Sequence, residues 1–182
     1  MEQKDYILEI IKQLIKGGNH VRGIAKELNT NHMLIVRKIK ELFRNNIVDF
    51  KQEGKNKSYF LKRTIEAQVY ILMAEHYKLL QIIGKYPTLR RIIEKIQNDK
   101  RIKLAILFGS YVKGTATKDS DIDIYLDTRN LNLKRELNPL DLKLSIKIGR
   151  YNKKDNLIKE IENNHVIIKG VEEFYEKSKF FD

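Results

Sequence analysis

The stretch Leu104–Asp127 reads LAILFGSYVKGTATKDSDIDIYLD, and its reading decides the fold of the C-terminal half. It opens with an apolar run, Leu104 to Phe108, rich enough in Leu, Ile and Phe for a buried strand. Gly109 and Ser110 follow. A loop with further turn-formers at Gly114 and Ser120 leads to Asp121-Ile122-Asp123-Ile124, whose strict alternation predicts a second strand. Successive side chains on a strand point to opposite faces, so Asp121 and Asp123 share one face and Ile122 and Ile124 the other.

Two neighbouring carboxylates repel each other, and each must stay hydrated or paired. A hard divalent cation relieves both problems. Mg2+ takes oxygen ligands, commonly one or two carboxylates with substrate phosphates. The Gly-Ser pair fits the same chemistry, because Gly lets backbone approach a phosphate and Ser supplies a hydroxyl and an N–H. A short helix opening at Ser110 would add further N–H donors. The plain alternative is that the two Asp form the solvated face of an edge strand.

A Gly-Ser pair, ten intervening residues and an Asp-x-Asp strand resemble the signature of the DNA polymerase beta nucleotidyltransferase superfamily, above all its minimal nucleotidyltransferase branch. The resemblance implies that Gly109 and Ser110 hold the phosphates of a nucleoside triphosphate, ATP being the expected one. It implies that Asp121 and Asp123 are catalytic and hold Mg2+ or Mn2+. It also implies that a nucleoside monophosphate passes to a hydroxyl of a protein, RNA or small-molecule acceptor, with diphosphate leaving. Many members carry a third carboxylate on the following strand, and Asp141 is the candidate for that catalytic, metal-binding role, with Glu136 its rival. Asp127 shares the face of Asp123 but lies four residues on, ~13 Å at strand rise, too far to share a metal. Asp141 opens a predicted strand, Leu140 to Ile148, whose Leu and Ile alternate with Asp141, Lys143, Ser145 and Lys147. Lys143 and Lys147 on that polar face read either as phosphate contacts or as solvated charges.

The N-terminal third has a different pattern. Apolar residues at helical spacing predict helices over 5–16, 21–28 and 32–45, with Asn29-Thr30-Asn31 as a capped turn and Asn46 in a left-handed position. Two strands, 47–51 and 58–62, flank Glu53-Gly54-Lys55-Asn56 as a basic hairpin. Three helices and a basic hairpin resemble a winged helix-turn-helix domain. That resemblance implies a third helix in the major groove and a wing on the phosphates. Asn31, His32, Leu34, Arg37, Lys38 and Lys40 form the expected exposed helix face, and Arg37, Lys40, Lys55 and Lys57 are the candidate contacts to double-stranded DNA. Protein docking is the other use of such a domain.

Between the two lies a long amphipathic helix from Thr64, whose stripe contains Ile65, Val69, Leu72, His76, Leu79, Leu80 and Ile83. It links the domains or forms a homodimer through its stripe, and His76 is expected to pack within it. A helix to about Asn98, a helix over 155–163, a short strand near Val166 and a closing helix complete the pattern. The expected architecture is α+β. A winged helix over 1–63 and a linking helix over 64–84 precede a small mixed-sheet nucleotidyltransferase domain over 85–182.

Composition narrows the function. A formal charge of +12 favours a polyanionic partner or an anionic ligand such as a nucleotide. The absence of cysteine excludes a disulfide framework, a thiolate metal site and a cysteine nucleophile. No apolar run approaches the ~18 residues of a membrane span, and MEQKDYILEI does not read as a signal peptide, so a cytoplasmic protein with no membrane partner is expected. Two functions follow. One is a metal-dependent nucleotidyltransferase, which in this family often modifies a partner protein. The other is a DNA-binding transcriptional regulator, or an antitoxin-like partner, whose nucleotidyltransferase fold binds nucleotide without significant turnover. The third carboxylate discriminates between them.

Overall fold

The computed structural model describes residues 4–181, which divide into two units. One unit ends at Tyr77 and the other begins at Lys78, so the boundary falls inside one long helix.

The first unit opens with α1 (Tyr6–Ile15), capped by Asp5, whose carboxylate accepts from the N–H of Ile7 and Leu8. Leu8, Ile10, Ile11 and Leu14 are its buried stripe. A two-residue strand, β1 (Asn19–His20), leads into α2 (Val21–Glu27). The turn to α3 (His32–Arg44) ends at Asn31, whose side chain accepts from the Met33 N–H at 2.7 Å. Ile24, Ala25, Ile35, Ile39 and Leu42 are buried on the facing sides of α2 and α3. Asn46 takes the expected positive φ, 62°, and turns the chain into β2 (Val48–Glu53). β2 and β3 (Asn56–Leu61) pair antiparallel from Val48↔Leu61 to Glu53↔Asn56. That register leaves a two-residue turn, Gly54-Lys55, in which Gly54 supplies a φ of 59°. β1 adds to β3 and makes a three-stranded sheet in the order β1-β3-β2. The sequence reading has no strand at Asn19, because two residues carry no periodicity.

Helix α4 (Ile65–Lys85) begins where the Thr64 hydroxyl accepts from the Ala67 N–H. Ala67, Ile71 and Ala74 are fully buried and belong to the first unit. The winged helix therefore includes the first half of the helix that the sequence reading set apart as a linker.

The second unit contains the rest of α4, a 3-10 turn at Pro87–Leu89 and α5 (Arg90–Asn98). Its sheet runs β6-β5-β4-β7, with β4 (Ala105–Phe108), β5 (Ile122–Asp127), β6 (Leu144–Gly149) and β7 (Val166–Lys169). β5 is antiparallel to β4 and parallel to β6, and β7 is antiparallel to β4. Short helices intervene: α6 (Ser110–Lys113), α7 (Asn132–Leu137), α8 (Asn156–Asn163) and α9 (Val171–Ser178). Ile92, Ile93 and Ile96 of α5 and Leu133 and Leu137 of α7 pack with Leu107, Ile122, Ile124 and Ile146 of the sheet. The expected mixed-sheet domain is present, inside an α+β chain.

One strand differs from its reading. Alternation predicts a strand over 140–148, but β6 starts only at Leu144. A tight turn precedes it, closed by the Leu144 N–H donating to the Asp141 carbonyl at 3.1 Å. The Asp141 carboxylate also accepts from the Lys143 N–H at 2.9 Å. Leu142, expected on the buried side, is 105% exposed. Alternating composition is insufficient here because Pro139 lies in a 3-10 turn and Asp141 caps its end in a side-chain-to-backbone turn.

The division within α4 gives a first prediction. A fragment ending at Tyr77 should unfold cooperatively, monitored by circular dichroism. One ending at Arg63 should be markedly less stable, because fully burying Ile71 alone contributes roughly 2–3 kcal/mol. Equal stability of the two fragments would contradict the boundary.

Candidate functional site

Gly109 is the pivot of the site. It sits between β4 and α6 at φ 74°, ψ −149°, a region that L side chains avoid. A Cβ built there would lie 2.5 Å from Asp123 Oδ2. A side chain at position 109 would therefore displace the Asp123 carboxylate from a backbone that glycine adopts freely, and the Gly-Ser turn is held against that carboxylate. The β4–β5 register explains the approach, since Phe108 faces Asp123 across the pair. Ser110 is the first residue of α6, as the anion-binding reading requires. Gly114 ends α6 in the left-handed region. A tight turn from Thr117 to Ser120 then delivers Asp121: Ser120 donates to the Thr117 carbonyl, and its hydroxyl accepts from the Thr117 N–H at 2.9 Å.

Asp121 and Asp123 flank Ile122, which is buried in the core with Ile124. The pair thus lies on the sheet face opposite those residues, with Asp121 exposed and Asp123 half-buried. The structure brings Gly109, Ser110 and Asp123 together as the sequence reading anticipated.

Asp141 does not open β6 as the alternation predicts, because the strand begins three residues later, at Leu144. It instead lines a cleft of ≈ 700 Å³ with Tyr86, Tyr111, Ile122 and Lys143. The Tyr111 phenol is pushed up first by burial and then by the charge of Asp141. Tyr111 also packs edge-on against Tyr86, with centroids 4.8 Å apart. Among the described residues, no three acidic or histidine side chains gather where they could hold one metal ion.

On β6 the residue beside Asp123 is Ser145. Asp123 pairs with Ser145 in the parallel β5–β6 ladder, and paired residues project to the same face. The sequence showed Ser145 only as one polar position among four; the register alone singles it out. The rival, Glu136, is bound elsewhere. It accepts twice from the Arg101 guanidinium, at 3.1 and 2.5 Å, which also holds Asp99. Hydrogen bonding from Arg101 lowers the Asp99 carboxyl to about 2 and lowers Glu136 as well. Asp127 is committed too: it accepts from the Tyr151 N–H at 3.0 Å and pairs with Lys177 at 3.2 Å. Lys143 lies in the turn before β6, and Lys147 is exposed beside Tyr125 on the outer strand.

The comparisons with known proteins bear on this half of the chain. Residues 90–173 match the family model described as Polymerase beta, Nucleotidyltransferase. The C-terminal domain belongs to that family. The nucleotidyltransferase domain is joined to a winged helix, identified here by its element order, three helices followed by a hairpin sheet. Among solved structures the chain is similar to the transcriptional repressor BigR from Xylella fastidiosa, at 18% identity and a TM-score of 0.35, over 37% of this chain and 66% of that one. The match therefore spans just under two thirds of BigR. It is also similar to the adhesin competence repressor AdcR from Streptococcus pyogenes, at 16% identity and a TM-score of 0.41, over 50% of this chain and 69% of that one. No curated protein matches the chain.

The winged helix carries the basic surface. Ile35, Ile39 and Leu42 define the inner side of α3, so at 100° per residue Met33, Arg37, Lys40 and Arg44 face outward. Arg37, Lys40 and Arg44 line one open groove with Glu41 and Asn45. Lys38, expected on this face, is instead partly engaged with Glu41 at 2.9 Å. On the wing, Lys55 is exposed, while the Lys57 ammonium lies 3.8 Å from the centroid of Phe50. The wing is anchored at its base by His20, which contacts the Lys57 carbonyl at 2.9 Å and Glu53 at 3.3 Å. The sequence reading missed Met33 on the outward face; the buried stripe of α3 locates it.

The contact at Gly109 yields the second prediction. Gly109→Ala should cost roughly 1–3 kcal/mol of stability and lower the melting temperature accordingly, from left-handed strain and the forced displacement of Asp123. Calorimetry checks this. A neutral substitution would mean that the turn does not abut Asp123.

Proposed function

We propose that the protein binds DNA through its winged helix and holds a metal–nucleoside triphosphate as a ligand in its nucleotidyltransferase domain, without efficient transfer. The observation that carries the second half is Ser145 opposite Asp123. Asp121 and Asp123 offer a two-carboxylate, all-oxygen donor set that suits Mg2+ or Mn2+ with phosphates completing the shell. When bound, the metal supplies charge neutralisation for the triphosphate. Gly109, lacking a side chain, and the N–H and hydroxyl of Ser110 hold the phosphates beside Asp123. The neutral hydroxyl of Ser145 brings no further negative charge and no base of suitable pKa to take the proton of an acceptor hydroxyl. Binding is therefore supported better than turnover. ATP is the nucleotide to try first.

On the winged helix, Arg37, Lys40 and Arg44 project together into solvent, with Lys55 exposed on the wing. This one-sided charge suits the major groove and flanking phosphates of duplex DNA. The reading is thus of a nucleotide-responsive DNA-binding regulator. The enzyme reading keeps one specific support, the intact Gly-Ser turn and Asp-x-Asp strand, and the same experiment decides it.

Calorimetric titration with ATP and Mg2+ should show binding, and Asp123→Asn should remove most of it. Wild-type protein should release little diphosphate, and Ser145→Asp should release more. Diphosphate release by the wild type at an ordinary enzymatic rate, ~1 s⁻¹ or faster, would overturn the ligand reading in favour of a transferase.

DNA binding is tested separately by anisotropy on a duplex at two salt concentrations. Affinity should fall steeply with salt, and Lys55→Ala with Lys57→Ala should reduce the salt slope by about two. Arg37→Ala should cost roughly 1–3 kcal/mol at a preferred site and little elsewhere. No binding at low salt would leave the winged helix as a protein-docking module.

A further inference from the structure

Between its buried stripe and its outward basic side, α3 has a third side that turns toward the wing. At 100° per residue His32, Val36, Lys40 and Phe43 fall there, within an arc of about 80°. On the hairpin, Phe50 pairs with Tyr59 and Gln52 with Lys57, so these four share one face. The two surfaces meet in a groove. Lys40, Phe43 and Arg44 of α3 and Phe50, Lys57 and Tyr59 of the wing line a cleft of ≈ 210 Å³. Lys57 and Tyr59 also line a second cleft, of ≈ 400 Å³, with Arg22, His32 and Lys55. The two clefts therefore adjoin along the wing. Among the described residues neither is lined by a carboxylate.

The aromatic floor of this groove is open. Ring centroids lie 6.0 Å apart for Phe43 and Phe50 and 5.9 Å apart for Phe50 and Tyr59. The ring planes are tilted by 40° and 54°, so the rings do not cover one another's faces. Phe50 and Tyr59 are half-buried, and Phe43 is 47% exposed. A ring placed for packing alone gains by burial, yet Phe43 stays largely in water beside Lys40 and Arg44. The Lys57 ammonium, over the Phe50 ring, adds a positive charge inside the groove.

We propose that this groove holds the unpaired bases of a single strand of DNA that continues from the duplex bound by α3. This use of the groove rests on the winged helix being a DNA-binding domain. Three observations select the occupant. In a duplex each base face is covered by its neighbours, so an open aromatic ring among cations suits a strand out of the stack. Arg22, Lys40, Arg44, Lys55 and Lys57 provide charge for the phosphates of that strand along the whole groove. Lys40 and Arg44 line both this groove and the outward one that contains Arg37, so a strand leaving the duplex meets continuous positive charge. From His32 to Arg44 the groove's α3 wall is ~18 Å long. At ~3.4 Å per stacked nucleotide it accommodates about five nucleotides. The preferred ligand is then a junction of double and single strand.

Anisotropy of the full chain at low salt should compare a blunt duplex with the same duplex carrying a thymidine extension of about five nucleotides, on either strand in turn. One extension should raise affinity by about tenfold or more. Phe43→Ala should remove most of that gain and leave the blunt duplex bound as before. The chain has no tryptophan, so Phe43→Trp places a single indole on the platform. Its emission should be quenched by the extended duplex and not by the blunt one, and this variant should keep the gain. Quenching reads stacking directly, which loss of charge or of fold would not mimic. If the blunt duplex binds and neither extension adds affinity, the groove proposal is overturned and the duplex reading stands. A gain that survives Phe43→Ala would overturn it as well. Binding of the free single strand with none of the blunt duplex would support the groove and overturn the duplex reading. No binding of any of these DNAs would overturn both.

Discussion

The nucleotidyltransferase domain depends on one close approach, the backbone of Gly109 against the carboxylate of Asp123. A Cβ there would lie 2.5 Å from Asp123 Oδ2, so any other residue would displace that carboxylate. The constraint acts in two directions. It fixes the exit of β4, so that α6 must begin at Ser110, and it holds Asp123 beside the N–H-rich start of that helix. The β4–β5 register is the tertiary contact that makes the approach possible. A slip of one residue would turn Asp121 and Asp123 into the core and Ile122 and Ile124 out of it, which burial forbids.

The chemistry is then decided one strand over. β6 runs parallel to β5, and the ladder sets Ser145 beside Asp123. Asp141 is drawn into a turn by its own hydrogen bond to the Lys143 N–H and ends up in the cleft that holds Tyr111. Aspartate readily makes such local bonds, which compete with a strand. The neighbour that the ladder gives Asp123 on β6 is thus a neutral hydroxyl, while the Gly-Ser turn abuts the same carboxylate from β4.

Charge is sorted by structure as well. In a chain of +12, many lysines are spent locally: Lys38 on Glu41, Lys57 on the Phe50 ring, Lys177 on Asp127 and Glu173. Arg37, Lys40 and Arg44 remain together on the outward side of α3. Four of the exposed large apolar side chains among the described residues, Ile65, Val69, Met73 and Leu80, lie on α4.

The sequence by itself determined much of this. Leu104–Asp127 specified two strands, the Gly-Ser turn and which face carries Asp121 and Asp123, because period-two alternation and a glycine at a turn are local signals. The three helices, the Asn31 cap, the left-handed Asn46 and the hairpin at Gly54 were legible for the same reason. The apolar stripe on α4 was legible too, although not that Leu79 is buried while Ile65, Val69 and Leu80 stay exposed. Only tertiary structure decided the rest. β1 is two residues long and exists because β3 accepts it. The end of the winged helix lies within α4 because Ala67, Ile71 and Ala74 are buried there. Ser145 and not Asp141 lies beside Asp123 because strand register is set between chain segments far apart in sequence, and no pattern within either segment records it.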